Sequence, residues 1–272
     1  MVRRVKVSVR NARFQQWEAM LTNRSKRSKL GSFLVHGVRP ITLAIEHGWD
    51  IQTLLYDCDR RLSQWAEHVL DNTAAEQAAL TSDLMAQLGE KADGTPELIA
   101  QVALPSATAA EVLRTLSVGP QFLGLVFDRP TSPGNVGSLI RSADAFGADV
   151  VILTGHAADP FDPKSVRAST GSLFAVPLIR AESAAQVSSW ARGLDVRPQL
   201  IGTDEHGDSD MAKHDFTSPT LLLIGNETRG LSHAWKEQAD HLVRIPMSGS
   251  ASSLNAASAA AIALYEVVRQ RG

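Results

Sequence analysis

Six short apolar runs, at 122–127, 149–154, 175–179, 199–203, 220–225 and 242–246, punctuate the second half of the chain. Between and after them, apolar residues recur at helical spacing over 136–147, 164–170, 184–193, 231–238 and 253–270. A run such as Leu221-Leu222-Leu223-Ile224 shows no polar alternation, so both faces of that strand must be covered. Strands covered on both faces and alternating with helices leave one economical solution, an α/β domain on a mostly parallel sheet. The first half reads as a smaller α/β unit. Strands are expected at 31–35, 51–56 and 98–104, a helix from Pro40 to near Gly48, and helical spacing over 62–70 and 74–90. The expected boundaries are a basic arm over 1–29, a small domain over 30–105, a linker with one helix over 106–119, and the large domain over 120–272.

Charge is divided along this plan. The whole chain carries a formal net charge of −2, yet residues 1–40 hold ten basic side chains against the single acid Glu18. The remainder holds 17 basic and 28 acidic groups. A positive segment on an acidic body suggests a polyanionic partner, most often nucleic acid; a solvated tail is the plainer alternative. No apolar run approaches the roughly 18 residues of a membrane span, and no signal-peptide core follows the basic residues. Cys58 is the lone cysteine, which fits a reducing, cytoplasmic setting without disulfide or cysteine-metal chemistry. The eight histidines lack metal-ligand spacing, so no metal is expected.

Three strand-to-helix loops hold the residues able to do chemistry. The first runs from Asp128 through Asn135 to Arg141: Val136, Leu139, Ile140 and Ala143 form its buried face, and Gly137, Arg141 and Ala145 another. Asn135 is either a helix cap or a functional amide, and Arg141 either pairs with Asp144 or faces open space. The second, Gly225-Asn-Glu227-Thr-Arg-Gly230, places a carboxylate at the end of a buried strand, where open α/β sheets bind ligands. The third joins Ile245-Pro246-Met247 to Ser252, Ser253 and Asn255 at the start of an alanine-rich helix; these polar residues are caps or ligand contacts. There is no phosphate-binding loop, no dinucleotide fingerprint and no nucleophile elbow.

Together these segments resemble the SpoU (TrmH-like) family of SPOUT RNA ribose 2′-O-methyltransferases. Its three motifs stand here as Asn135-Val-Gly137-Ser-Leu-Ile-Arg141, Gly225-Asn-Glu227-Thr-Arg-Gly230, and Ile245-Pro246-Met247 with Ser253-Leu254-Asn255. The first half resembles the family's L30e-like substrate-binding domain from Gly31-Ser-Phe-Leu-Val-His-Gly-Val-Arg39 onward, with His36 in place of an acid. The resemblance implies methyl transfer from S-adenosylmethionine to a ribose 2′-hydroxyl in RNA, by a homodimer with a trefoil-knotted carboxyl end; the extra amino-terminal domain favours large-subunit ribosomal RNA, with transfer RNA as an alternative. A non-catalytic RNA-binding protein that keeps the fold is the alternative, against which stands the full set of motif residues.

By the family's pattern, Gly202, Thr203, Gly225, Gly230, Ile245, Met247 and Leu254 would line the cofactor pocket, and Asn135, Arg141, Glu227, Ser253 and Asn255 the catalytic centre. Family accounts make the first-motif arginine the base. A guanidinium, with a pKa above about 12, is poorly suited to that, so Arg141 is expected to stabilise the developing alkoxide or fix a neighbouring phosphate. RNA contacts are expected from Arg24, Lys26, Arg27, Lys29 and Arg39, and from Arg167, which could equally form a structural ion pair. Deleting residues 1–29 is expected to weaken RNA binding and spare cofactor affinity.

Overall fold

A computed structural model describes residues 2–89 and 94–272. The chain divides into two compact units, one of residues 1–106 with 161–175, the other of 107–160 with 176–272.

The first unit contains β1 (Arg4–Val7), α1 (Ala12–Thr22), α2 (Arg24–Leu30), β2 (Ser32–His36), α3 (Val38–Glu46), β3 (Ile51–Asp57), α4 (Gln64–Asn72), β4 (Glu76–Leu80), α5 (Ser82–Leu88) and β5 (Leu98–Ala103). Its five-stranded sheet has the order β1-β4-β3-β5-β2. β1, β4 and β3 are mutually parallel, and β5 is antiparallel to both β3 and β2.

Of the segment 1–29, expected as an arm, residues 2–29 are built into this sheet and its core. β1 forms an edge strand on β4. The Asn11 side chain accepts from the Phe14 N–H and starts α1, whose residues Phe14, Trp17 and Met20 fall at three-residue spacing and are at most 2% exposed. They pack with Leu34, Leu55, Leu80, Met85 and Ile99. Tertiary burial also decides 74–90: the segment expected as one helix divides into β4, held between β1 and β3, and the short α5. Residue 90, its expected end, lies outside the described residues.

The second unit begins with α6 (Ala109–Thr115), inside the expected linker, where Thr108 and Glu111 form a reciprocal cap and Leu113 enters the core. There follow β6 (Leu123–Asp128), α7 (Pro133–Ala145) and β7 (Val150–Thr154). The chain then contributes α8 (Pro163–Ser169) to the first unit. There Phe161 and Phe174 pack with Phe33 and Trp49, the Trp49 indole N–H donates to the Phe174 carbonyl, and Gly171 lies against Leu43. The second unit resumes with β8 (Leu178–Ala181), α9 (Ala184–Arg192), β9 (Gln199–Thr203), β10 (Ser209–Asp210), β11 (Thr220–Ile224), α10 (His233–Gln238), β12 (His241–Arg244) and α11 (Ala256–Arg271).

Seven parallel strands in the order β10-β12-β9-β11-β6-β7-β8 form its sheet. β6, β7 and β11 are buried along their whole length, as their unbroken apolar runs require. The alanines of α11 let it lie close along α7. The last turn of α11 does more than offset the helix dipole. The Arg271 guanidinium donates to the carbonyls of Gln121, Phe122, Phe216 and Ser218, and the Gln270 amide bonds the backbone of His214 and Phe216. The C-terminal helix is thereby pinned to the amino-terminal edge of the sheet, and the carboxyl edge stays free for a site.

Candidate active site

The loop from β6 into α7 is shaped by Ser132. Its hydroxyl accepts from the Asn135 N–H at 3.3 Å and caps α7, with Pro133 at the first helical turn where no N–H is needed. Asn135 therefore lies one turn inside the helix, and its side chain is released from the capping role. Its amide donates to Glu227 Oε1 at 3.2 Å and its oxygen accepts from the Asn255 amide at 3.0 Å. The three motifs of the sequence meet in this chain of side chains.

Glu227 organises the centre. Oε2 accepts from the Thr131 N–H and hydroxyl, at 2.9 and 3.0 Å, and Oε1 from the Ser132 N–H at 3.0 Å. Burial pushes this carboxyl up, but the bonds from the Thr131, Glu227 and Ser132 backbone amides and from the Asn135 side chain outweigh it and hold it below the ordinary carboxylate range. Glu227 is therefore an anion that fixes the loop in front of α7. Asn255 serves twice, since its oxygen also caps α11 through the N–H groups of Ala257 and Ser258. Arg141 is exposed on α7, six residues or about 9 Å along the helix from Asn135. Among the described residues its guanidinium has no hydrogen-bond or ion-pair partner.

Beside this chain lies a cavity of about 400 Å³, in the range of small-molecule sites. Of the residues expected to hold the cofactor, Thr203, Gly225, Gly230, Ile245, Met247 and Leu254 line it, as do Glu227 and Ser253. Gly202 does not; it is buried where a Cβ would strike the side chains of Leu242 and Leu231. Gly225 is required by close backbone approach, because a Cβ there would lie 2.4 Å from the carbonyl carbon of Gly230 and the nitrogen of Leu231. Asn226 holds the turn by accepting from the N–H groups of Thr228 and Arg229.

The sequence reading missed the polar wall of the cavity, formed by Asp204, Glu205, His206, Arg229 and Lys236. Lys236 reaches Asp204 at 2.7 Å. Burial raises the Asp204 carboxyl, and the Lys236 hydrogen bond with the His206 N–H more than offsets it, leaving the group below its usual value. Asp204 directly follows the strand 199–203, a place where ligands gather, and that was the available signal.

Of the basic residues expected to touch RNA, Arg24, Lys26, Lys29 and Arg39 are exposed on the first unit, and Arg167 is exposed on α8. Arg27 is a correction. It is 2% exposed, donates to the Met20 carbonyl at 2.5 Å and pairs with Asp162 at 3.4 Å. Its place on the inner face of α2 turns it into a structural cation. Among the described residues no group of three or more His, Cys, Asp or Glu could hold a metal ion, and no helix is long and apolar enough to cross a membrane.

Residues 11–100 match the model of the SpoU L30e-like domain and residues 123–265 that of the SpoU rRNA Methylase family. A 23S rRNA (uridine(2479)-2′-O)-methyltransferase of Streptomyces viridochromogenes is 57% identical over 98% of this chain and 92% of its own length. The crystal structure of the SpoU methyltransferase AviRb from the same organism, in complex with AdoMet, matches with a TM-score of 0.91 at 57% identity, over 96% of this chain and 98% of that one. The 23S rRNA (guanosine(2553)-2′-O)-methyltransferase RlmP of Bacillus subtilis is 29% identical over 96% of this chain and 97% of its own.

Proposed function

The chain belongs to the SpoU rRNA methylase family, and from that premise we propose that it methylates the 2′-hydroxyl of a uridine ribose in 23S ribosomal RNA. It is an RNA ribose 2′-O-methyltransferase, and its methyl donor is S-adenosylmethionine. The uridine is favoured over guanosine because the 57% identical relative, which spans both units, carries that specificity. The observation that carries the reading is the hydrogen-bonded chain Glu227–Asn135–Asn255 beside the cavity, with an unpartnered guanidinium further along the same helix.

The cavity fits the donor chemically. Ile224, Ile245, Met247 and Leu254 offer an apolar surface for an adenine, the 225–230 turn offers close backbone, and Asp204, Glu205 and Glu227 suit a ligand with a net positive charge. When bound, S-adenosylmethionine supplies a methyl group activated on a sulfonium sulfur. The residues do the rest. Glu227 holds Thr131 and Ser132, and with them the start of α7, while Asn135 and Asn255 tie α7 to α11. That fixes the direction of α7, and therefore of Arg141. Arg141 donates to the ribose oxygen as it gains charge, or to the adjacent phosphate, from a position set before substrate arrives. Ser253, at the rim, orients the ribose.

Lys26, Lys29 and Arg39 on the L30e-like unit are read as phosphate contacts that bring the RNA to the enzyme, and the setting is read as cytoplasmic. The chain is read as a homodimer, because α11 leaves Ile262, Tyr265 and Val268 between 37% and 56% exposed at three-residue spacing on one face. The trefoil knot is read at the carboxyl end: β12 pairs with β9, beyond β11, while α11 returns past β11 to α7. Mapping ribose methylation in 23S RNA from cells with and without the gene tests the function. A uridine site that disappears with the gene is the expected result; an unchanged methylation map would refute it.

A further inference from the structure

We propose that Arg129 is a contact for the RNA phosphate next to the reacting ribose, an inference that rests on the function given above. Arg129 has φ 49°, a left-handed conformation that a side chain seldom adopts. Three contacts hold it there. Its N–H donates to the Thr154 carbonyl at 3.1 Å, its carbonyl accepts from the Asn226 amide at 2.6 Å, and its Nε and Nη2 donate to Oδ1 and Oδ2 of Asp128, each at 3.0 Å. Asp128 is 2% exposed and is itself fixed by the Ser232 N–H at 2.8 Å. The stem of Arg129 runs past Gly155, where a Cβ would come within 2.8 Å of the arginine Cγ.

Glycine would adopt this backbone without strain, so the turn alone gives no reason for an arginine. Strain held in place from several sides is characteristic of functional positions. The carboxylate occupies the Nε edge of the guanidinium. Nη1 has no partner among the described residues, and the side chain is 33% exposed. A fork gripped on one edge presents the parallel N–H pair of the other, a match for two oxygens of one phosphate. The location suits the reacting strand: Arg129 opens the loop that leads to Asn135, Thr131 two residues on is bound to Glu227, and Asn226 precedes Glu227. The carboxylate of the methyl donor has related chemistry, but Arg129 is not among the residues lining the cavity, which favours RNA.

The test compares Arg129→Gln and Arg129→Lys with the unaltered full-length chain, measuring binding to a 23S RNA fragment across a salt series and calorimetric binding of S-adenosylmethionine. Arg129→Gln is expected to weaken RNA binding about tenfold and to reduce the slope of log affinity against log salt by about one. Arg129→Lys is expected to restore the slope and only part of the affinity, and cofactor affinity should stay within about twofold. Unchanged RNA affinity and slope in Arg129→Gln overturns the proposal, as does a loss confined to the cofactor. Because that variant strips a buried carboxylate of its partner, Asp128→Asn with Arg129→Gln is measured beside it. The same RNA loss in the double variant supports the phosphate contact; recovery of RNA binding would show the pair to be structural and overturn it. If the unaltered chain methylates no RNA, the function itself fails, and Arg129 is judged on the salt slope alone.

Discussion

The basic amino-terminal segment and the loops around the cavity are both polar at the surface, yet they are held by opposite means. The first is anchored by apolar burial: Phe14, Trp17 and Met20 lie at the centre of its unit while Lys26 and Lys29 stay outside. The loops hold their shape through polar side chains, Glu227, Asn226, Asn135 and Asn255, and leave Ser252 to Asn255 exposed. A change in the first region should therefore be felt as stability, and one in the second as rate.

The largest expected effect follows from removing residues 1–29. The deletion takes away an edge strand and three fully buried large side chains, each worth roughly 2–5 kcal/mol when truncated, against the 5–15 kcal/mol that holds a whole domain. The first unit should fail to fold, seen as loss of its share of helical circular dichroism and as rapid proteolysis of residues 30–105. That replaces the milder outcome expected from a detached arm. A folded, soluble deletion with intact spectra would abolish the contrast between the two regions.

Arg141→Ala should show the reverse pattern. With no intramolecular partner to lose, the variant should melt within about 1 °C of the unaltered chain, while kcat falls by about 10²-fold, the scale of removing one preorganised donor. Arg141→Lys keeps the charge without the fork and should recover only part of the rate. Wild-type turnover in the lysine variant would dismiss the positioning role. Glu227→Gln should lie between the regions: losing the charge that gathers four donors should cost about tenfold in kcat and also lower Tm.

A sharper comparison sits inside the basic segment, between Arg27 and its neighbours. Arg27→Ala removes a buried cation from the Met20 carbonyl and from Asp162, and should cost about 1–3 kcal/mol, read as a lower denaturation midpoint. Lys26→Ala and Lys29→Ala should leave the midpoint unchanged and each reduce the salt slope of RNA binding by about one. Equal behaviour of the three would mean that burial does not sort these cations.

The sequence made the second unit more legible than the first for a physical reason. Strands buried on both faces must be wholly apolar, so β6, β7 and β11 announce themselves, and the three motifs each follow a strand. β4, Glu76-Gln-Ala-Ala-Leu80, has no such mark. Its alanines suit a helix equally well, and only pairing with β1 and β3 decides. One other feature depends on chain segments far apart and leaves no local trace. Residues 161–175 join the first unit through aromatic contacts with Phe33 and Trp49. Ser132, rather than Asn135, caps α7, and Asn135 thereby becomes free for Glu227; Pro133 was the available clue.

The smallest expected effect tests the edge of the second unit opposite the cavity. The His214 ring lies 5.0 Å from that of His241 and 4.8 Å from that of Phe216, with Nε2 facing the Gln199 side-chain Oε1 and Asp215 alongside in sequence. Burial, and then the neighbouring His241, lower the His214 pKa, and Asp215 opposes them only in part. The folded chain therefore keeps this ring neutral at a pH where the unfolded chain has bound a proton. Between the lowered value and about 6.5 the unfolded state holds more protons, so stability falls as pH drops through that window and is indifferent to pH above it. Thermal melts from pH 7.5 to 5.5 should show a small decline in Tm that His214→Asn flattens and His241→Asn reduces. Because Gln270 and Arg271 pin α11 to the same edge, that decline should come without change in the affinity for S-adenosylmethionine at the far end of the strands. A parallel loss of cofactor affinity would show that the two edges of the sheet are coupled, and that the division between anchored and chemically active regions does not hold within this unit.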